Sequence, residues 1–126
     1  MRDEAPIEKR GISHRELMET GFSDETRGQF RPGGWDSSKR VEEMARDGVS
    51  AEVLFPTLGL KHFSIDNAQE QEAYFRVYND WIHEYCQAAP SRLFAIASIS
   101  TYVIDHAIAE MERCKRAGFV GAMIGT

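Results

Sequence analysis

Basic residues, cysteines, long apolar runs and paired histidines are all scarce in this 126-residue chain. Fifteen Lys and Arg face twenty Asp and Glu, giving a formal net charge of −5. No run of basic residues interleaves with aromatics, so a nucleic-acid partner is not expected. The longest apolar runs, such as residues 93–99, are strand-length. They fall far short of the roughly 20 residues a membrane-spanning helix needs. The N-terminus Met1-Arg2-Asp3-Glu4 is charged with no apolar core behind it, which argues against a signal peptide. The expectation is therefore a cytoplasmic protein with no membrane partner. Cys86 and Cys114 are the two cysteines. Both sit among apolar neighbours in predicted helices and read as small buried hydrophobes in a reducing compartment. No Gly-x-Ser-x-Gly turn occurs, so no Ser-His-Asp hydrolase arrangement can be argued. Gly118 and Gly121 precede a predicted strand instead of following one, which removes the phosphate-loop reading.

What is present is an alternation of helix and strand. Residues 1–32, punctuated by Pro6, Gly11, Gly21 and Gly28, show no sustained period and read as a poorly ordered arm or excursion loop. Asp36 looks like the N-cap of a helix over 37–46 with Val41, Met44 and Ala45 on one face, closed by Gly48. Strand one follows at 51–55 and ends at Pro56, which cannot donate to a ladder. Residues 67–88 form the longest helical segment, with Asp66 and Gln69 resembling a capping box. Its expected apolar stripe is Tyr74, Tyr78, Trp81, Ile82 and Tyr85, widened by Phe75 and Val77. Trp35, Trp81 and the tyrosines read as core anchors. Ala89-Pro90 ends the helix. Strand two is 93–99, apolar without alternation, as when both faces are covered. Asp105 then caps a helix through Arg116 with Ile108, Met111 and Cys114 or the Lys115 stem buried. Gly118 closes it, and strand three is 119–124.

Each strand-to-strand crossover contains a helix, so the strands are expected to be parallel and the crossovers right-handed. The fold class is α/β, and two architectures fit: a doubly wound open sheet or part of a (β/α)8 barrel. In both, chemistry gathers at the C-terminal ends of the strands.

Three segments carry a resemblance. Residues 33–36 (Gly-Gly-Trp-Asp) with 47–57 (Asp-Gly-Val-Ser-Ala-Glu-Val-Leu-Phe-Pro-Thr) form the first. Tyr78-Asn79-Asp80-Trp81 with Ala89-Pro90-Ser91-Arg92-Leu93 forms the second, and 107–116 with 118–124 the third. Together they resemble the amidohydrolase-related family, in the branch of aminocarboxymuconate-semialdehyde decarboxylase and related metal-dependent hydrolases. The resemblance covers residues 33–126 and implies a partial TIM barrel of about three parallel strands. It further implies a hydrolase or carboxy-lyase acting on a small, aromatic or carboxylated substrate. The family holds a divalent metal, usually zinc, through a His-x-His pair on its first strand and a later histidine and aspartate.

Those ligands have no counterpart here. His14, His62, His83 and His106 are the four histidines, and no two are spaced as His-x-His. No metal ligand and no catalytic residue is carried over, and no metal is expected on this chain alone. The expectation is a fragment or truncated gene product, inactive by itself. The hydroxyl-bearing residues at the strand ends, Thr57, Ser98, Ser100 and Thr126, are the candidate substrate-binding residues. Ser and Thr also bond local backbone at such places, and that reading stays open beside the first. His62 reads as a solvated loop residue, with a place over the pocket as its alternative. The rival to the enzyme reading is a self-contained, non-catalytic α/β binding or oligomerisation module. Edge strands poor in guarding charge make a homo-oligomer the expected assembly.

Overall fold

The computed structural model describes residues 31–125. Residues 1–30, with His14 and most of the expected arm, lie outside the described residues, as does Thr126. Arg31 pairs with Asp47 at 2.8 Å, and Pro32 opens a short 3-10 turn, Pro32–Gly34.

Helix α1 is Ser37–Arg46, and Asp36 caps it, accepting from Ser38 N at 3.0 Å and Lys39 N at 3.2 Å. Its exit is a Schellman turn: Gly48 takes φ +73°, its N–H donates to Ala45 O, and Val49 N donates to Met44 O at 2.8 Å. Helix α3, Ile104–Arg116, ends in the same way. There Gly118 takes φ +94° and Phe119 N donates to Cys114 O at 3.1 Å. Val49 and Phe119, the residues just past these turns, both drop onto the core.

The strands are β1 (Glu52–Leu54), β2 (Leu93–Ile99) and β3 (Gly121–Ile124). All pairs are parallel and the order is β1-β2-β3. Glu52 lies opposite Leu93 and Leu54 opposite Ala95, while Ile96 lies opposite Gly121 and Ile99 opposite Ile124. Helix α2, Ala68–Cys86, forms the first crossover and α3 the second. Two right-handed crossovers in one direction put both helices on the same side of a sheet. The packing agrees. Met44, Ile82, Tyr85 and Cys86 close on Leu93 and Ala95, and Ala107 and Cys114 close on Ala97 and Ile99. The fold is α/β, three parallel strands with helices on one side, a sector of a (β/α)8 barrel. The doubly wound alternative needs helices on both faces, and the described helices occupy one.

Several expectations need correction. β1 and β3 are shorter than 51–55 and 119–124, because the ladder partners on β2 run only over Leu93–Ala95 and Ile96–Ile99. The cap of α2 is Asn67, not Asp66: its side chain accepts from Glu70 N at 2.9 Å. α3 begins one residue before Asp105, with Val103 as a cap that offers no side-chain bond. Asp105 lies in the first turn, where its charge suits the positive helix end. The buried stripe of α2 is rotated from the aromatic one. It comprises Gln71, Phe75, Asn79, Ile82, Tyr85 and Cys86, while Tyr74, Val77 and Trp81 are exposed. Trp35 is exposed as well. On α3 it is Ala107 and Cys114 that are buried, and Ile108 and Met111 are exposed. Small residues on that face let α3 approach Ala97 closely. Both cysteines are free and buried, as their surroundings in the sequence suggested.

Candidate functional site

The loop leaving β1 carries the chain over the C-terminal ends of the strands. Pro56 is buried, and a 3-10 segment, Leu58–Ser64, follows. One side chain ties it down: the buried Gln71 amide donates to the carbonyls of His62, Phe63 and Ile65 at 3.1, 3.2 and 3.4 Å. Phe63 packs on Phe75 with ring centroids 4.5 Å apart, and the Tyr102 hydroxyl donates to Ile65 O at 3.0 Å.

Thr57 is exposed at the start of this segment and its side chain makes no capping bond. It borders a cavity of 510 Å³ walled largely by aromatic rings, among them Trp35, Phe55, Tyr78, Trp81 and Tyr85. Burial pushes the Tyr78 and Tyr85 phenols up to about 12, so both stay neutral donors near pH 7. The Tyr85 hydroxyl donates to Gly33 O, whereas the buried Tyr78 hydroxyl has no partner among the described residues.

Ser98 and Ser100 are buried and border a second cavity, of 370 Å³, between α2 and α3. The Ser100 hydroxyl also lacks a partner among the described residues. The structure therefore brings the two serines together and leaves Thr57 at another cavity. Polar charge surrounds the serine cavity. Glu110 accepts from Arg113 at 2.7 and 2.6 Å, from Arg76 at 3.1 Å and from Asn79 at 3.0 Å. Burial raises the pKa of Glu110, but the Arg113 and Asn79 hydrogen bonds and the two guanidinium charges outweigh it. The net direction is below the usual carboxylate range. His106 meets Glu72 at 3.1 Å at the rim.

The residues present do not fit a metal centre. Among the described residues, no group of three or more His, Cys, Asp or Glu could hold an ion. The three histidines lie apart in their contacts. His62 stacks on Tyr74 at 4.6 Å, His83 on Phe119 at 6.3 Å, and His106 pairs with Glu72. His62 is half-buried, and burial followed by the Lys61 charge lowers its pKa, so it is not the fully solvated loop residue its polar setting suggested.

Gln71 and Glu110 were not singled out from the sequence, and Asn79 entered only as part of the Tyr78-Asn79-Asp80-Trp81 resemblance, with no role assigned. The available signal was the i, i+4, i+8 spacing of Gln71, Phe75 and Asn79, which puts two amides on the stripe that continues into Ile82 and Cys86.

No protein-family model matches the chain, and no curated protein matches it. Solved structures do. The crystal structure of 2,6-dihydroxybenzoate decarboxylase complexed with 2,6-dihydroxybenzoate is similar at 28% identity and a TM-score of 0.61, over 68% of this chain and 26% of that one. The 2,6-dihydroxybenzoate decarboxylase from Rhizobium is similar at 23% identity and a TM-score of 0.63, over 86% of this chain and 34% of that one. The chain thus spans between about a quarter and a third of the structures it matches. Among the described residues no helix is long and apolar enough to cross a membrane. The three-stranded sector built here from Asp36, Gly48 and Gly118 outward is thus similar to a stretch of decarboxylases acting on a small hydroxylated benzoate.

Proposed function

We propose that this chain forms one sector of the wall of an amidohydrolase-like, metal-dependent barrel enzyme that non-oxidatively decarboxylates or hydrolyses a small carboxylated aromatic compound. The observation that carries this reading is the 28% identity to a decarboxylase over 68% of the chain, at a TM-score of 0.61. In a barrel of this kind the chemistry sits at the C-terminal face. In chain order Thr57 follows β1, Ser98 and Ser100 flank the last residue of β2, and Thr126 follows β3, which supports that reading. In a decarboxylation the ring–carboxylate bond breaks, its electron pair stays on the ring carbon, a proton takes the vacated position, and CO2 leaves. The contribution of this sector is to bind and orient. Neutral hydroxyls near the strand ends donate to a carboxylate or phenol oxygen.

The test joins sequence and activity. The coding sequence on both sides of these 126 codons is read, and the longest continuous product is expressed with zinc and assayed for CO2 release from 2,6-dihydroxybenzoate and related hydroxybenzoates. A His-x-His upstream, a histidine and an aspartate downstream, and turnover are expected. In-frame stops on both sides, with a monodisperse chain inert toward these compounds, would overturn the reading in favour of a non-catalytic module.

A further inference from the structure

β1 pairs with β2 no further than Leu54 opposite Ala95. Beyond that point the β1-side edge of β2 needs other partners, and one side chain of α2 supplies them. Asn79 is completely buried. Its Oδ1 accepts from Ser98 N at 2.8 Å and its Nδ2 donates to Ser98 O at 3.0 Å. These are the two bonds that an adjacent strand would make to Ser98, there through two of its residues. Nδ2 has a second hydrogen, and it goes to Glu110 Oε1 at 3.0 Å. An amide can flip, exchanging its donor and acceptor ends. Glu110, gripped by two guanidinium groups, is a carboxylate and only accepts. It therefore admits only the orientation in which Nδ2 faces it and Oδ1 faces Ser98 N. A flipped amide would set oxygen against carboxylate and NH2 against N–H.

We propose that Asn79 is a positioning residue for the substrate end of β2: it replaces the missing strand partner at Ser98, and the Glu110–Arg113–Arg76 cluster fixes the orientation of its amide. The substrate part of this assignment rests on the reading given under Proposed function. The clamp itself rests on geometry alone.

Hydrogen exchange on the full chain tests it, read residue by residue as protection factors at Ser98, Ser100 and Leu93–Ala97. In Asn79→Leu, Ser98 is expected to lose protection about tenfold or more, the scale of one buried hydrogen bond, while Leu93–Ala97 keep theirs. In Asn79→Asp the ionised group still accepts from Ser98 N–H but has no hydrogen for Ser98 O or Glu110 and lies against that carboxylate, which pushes it off the strand edge; protonation restores one donor and removes the repulsion. Protection at Ser98 is then expected to recover as pH falls, a pH dependence that mere packing at position 79 would not produce. Glu110→Gln, a milder change, removes the carboxylate that opposes a flipped amide while Ser98 N–H and O still favour the observed one, and is expected to lower Ser98 protection less than Asn79→Leu does. Equal losses along all of β2, or unchanged protection at Ser98 in these variants, would overturn the clamp. Titration of the longest continuous product, loaded with zinc, with 2,6-dihydroxybenzoate separates the two claims. Ligand shifts at Ser98 and Ser100 that Asn79→Leu leaves untouched would overturn the positioning role. Absence of any ligand shift, with the clamp behaving as described, would count against the functional reading and leave the clamp standing.

Discussion

Two adjacent glycines give a sharp test of the packing at the start of the described chain. Gly33 is buried and Gly34 exposed. A Cβ added at Gly33 would lie 2.6 Å from Glu43 Oε2 and 2.9 Å from Arg40 Cα, whereas one at Gly34 would meet nothing within 4 Å. Neither glycine has positive φ, so backbone strain does not distinguish them. The Glu43 carboxylate could swing aside, but Arg40 Cα belongs to the backbone of α1 and holds its place. Carbon atoms prefer about 3.5–4.0 Å, so Gly33→Ala must push the 3-10 turn away from α1 by roughly 0.5–1 Å. That displacement strains the Gly33 N–H to Glu43 Oε1 bond of 3.3 Å and the bond from the Tyr85 hydroxyl to Gly33 O. Overpacking costs about 1–3 kcal/mol, and two weakened bonds add about 0.5–1.5 kcal/mol each. Lower entropy of the unfolded chain returns roughly 0.4–1 kcal/mol. The expected net loss is therefore about 1–5.6 kcal/mol, to be set against a ~5–15 kcal/mol margin. Gly34→Ala has only the entropy gain and is expected to be neutral or slightly stabilising. Urea unfolding followed by the fluorescence of Trp35 and Trp81 reads both variants. Equal stability of the two, or a greater loss at Gly34, would refute the reasoning.

Other outcomes follow from the same contacts. The folded pKa of Glu110 lies below its ordinary value, so its contribution to stability is present above the unfolded carboxylate pKa and is lost as pH falls through the folded one. Urea midpoints between pH 7 and 3 should fall less steeply in Glu110→Gln than in the unaltered chain, and parallel curves would contradict this. Burial pushes the Cys86 thiol up and the Cys114 thiol up to about 11, so neither should be alkylated by iodoacetamide at pH 7.5 until denaturant is added. Rapid native labelling of either would overturn that. Val53, Phe55, Val120 and Ile124 are exposed on or beside the two outer strands, with Glu52 already committed to Arg40 at 2.6 Å. Sedimentation should show concentration-dependent association, reduced by Val53→Lys. A monomer at every concentration would remove the oligomer from the expected properties.

Much of the fold could be read from local signals. Asp36 before α1, Gly48 and Gly118 after α1 and α3, and the unbroken apolar run of β2 each act within a few residues, so the sequence carries them without knowledge of neighbours. The faces of the helices were less readable. On α2 the aromatic residues dominate any apolar tally, yet the buried stripe turns Gln71 and Asn79 inward because backbone carbonyls and the Ser98 edge await donors there. On α3 the larger Ile108 and Met111 suggested a place on the buried face that the smaller Ala107 takes instead, beside the expected Cys114. The 3-10 segment Leu58–Ser64 has no period to detect. Of the candidate site, the pairing of Ser98 with Ser100 follows from parity along one strand. The separation of Thr57 from them depends on the path of the loop after Pro56, which no spacing encodes.

The Gln71 tether has an arithmetic of its own. An amide nitrogen carries two hydrogens, and the loop presents three carbonyls to it, those of His62, Phe63 and Ile65. At every instant one acceptor is underserved or two share a proton. Near-equal sharing makes the hold exchangeable: the loop can trade one carbonyl for another through shifts of a few tenths of an ångström without releasing the side chain. A segment fastened in this way is anchored yet soft. All three carbonyls depend on one side chain, so a single replacement at Gln71 unfastens the segment at three points together.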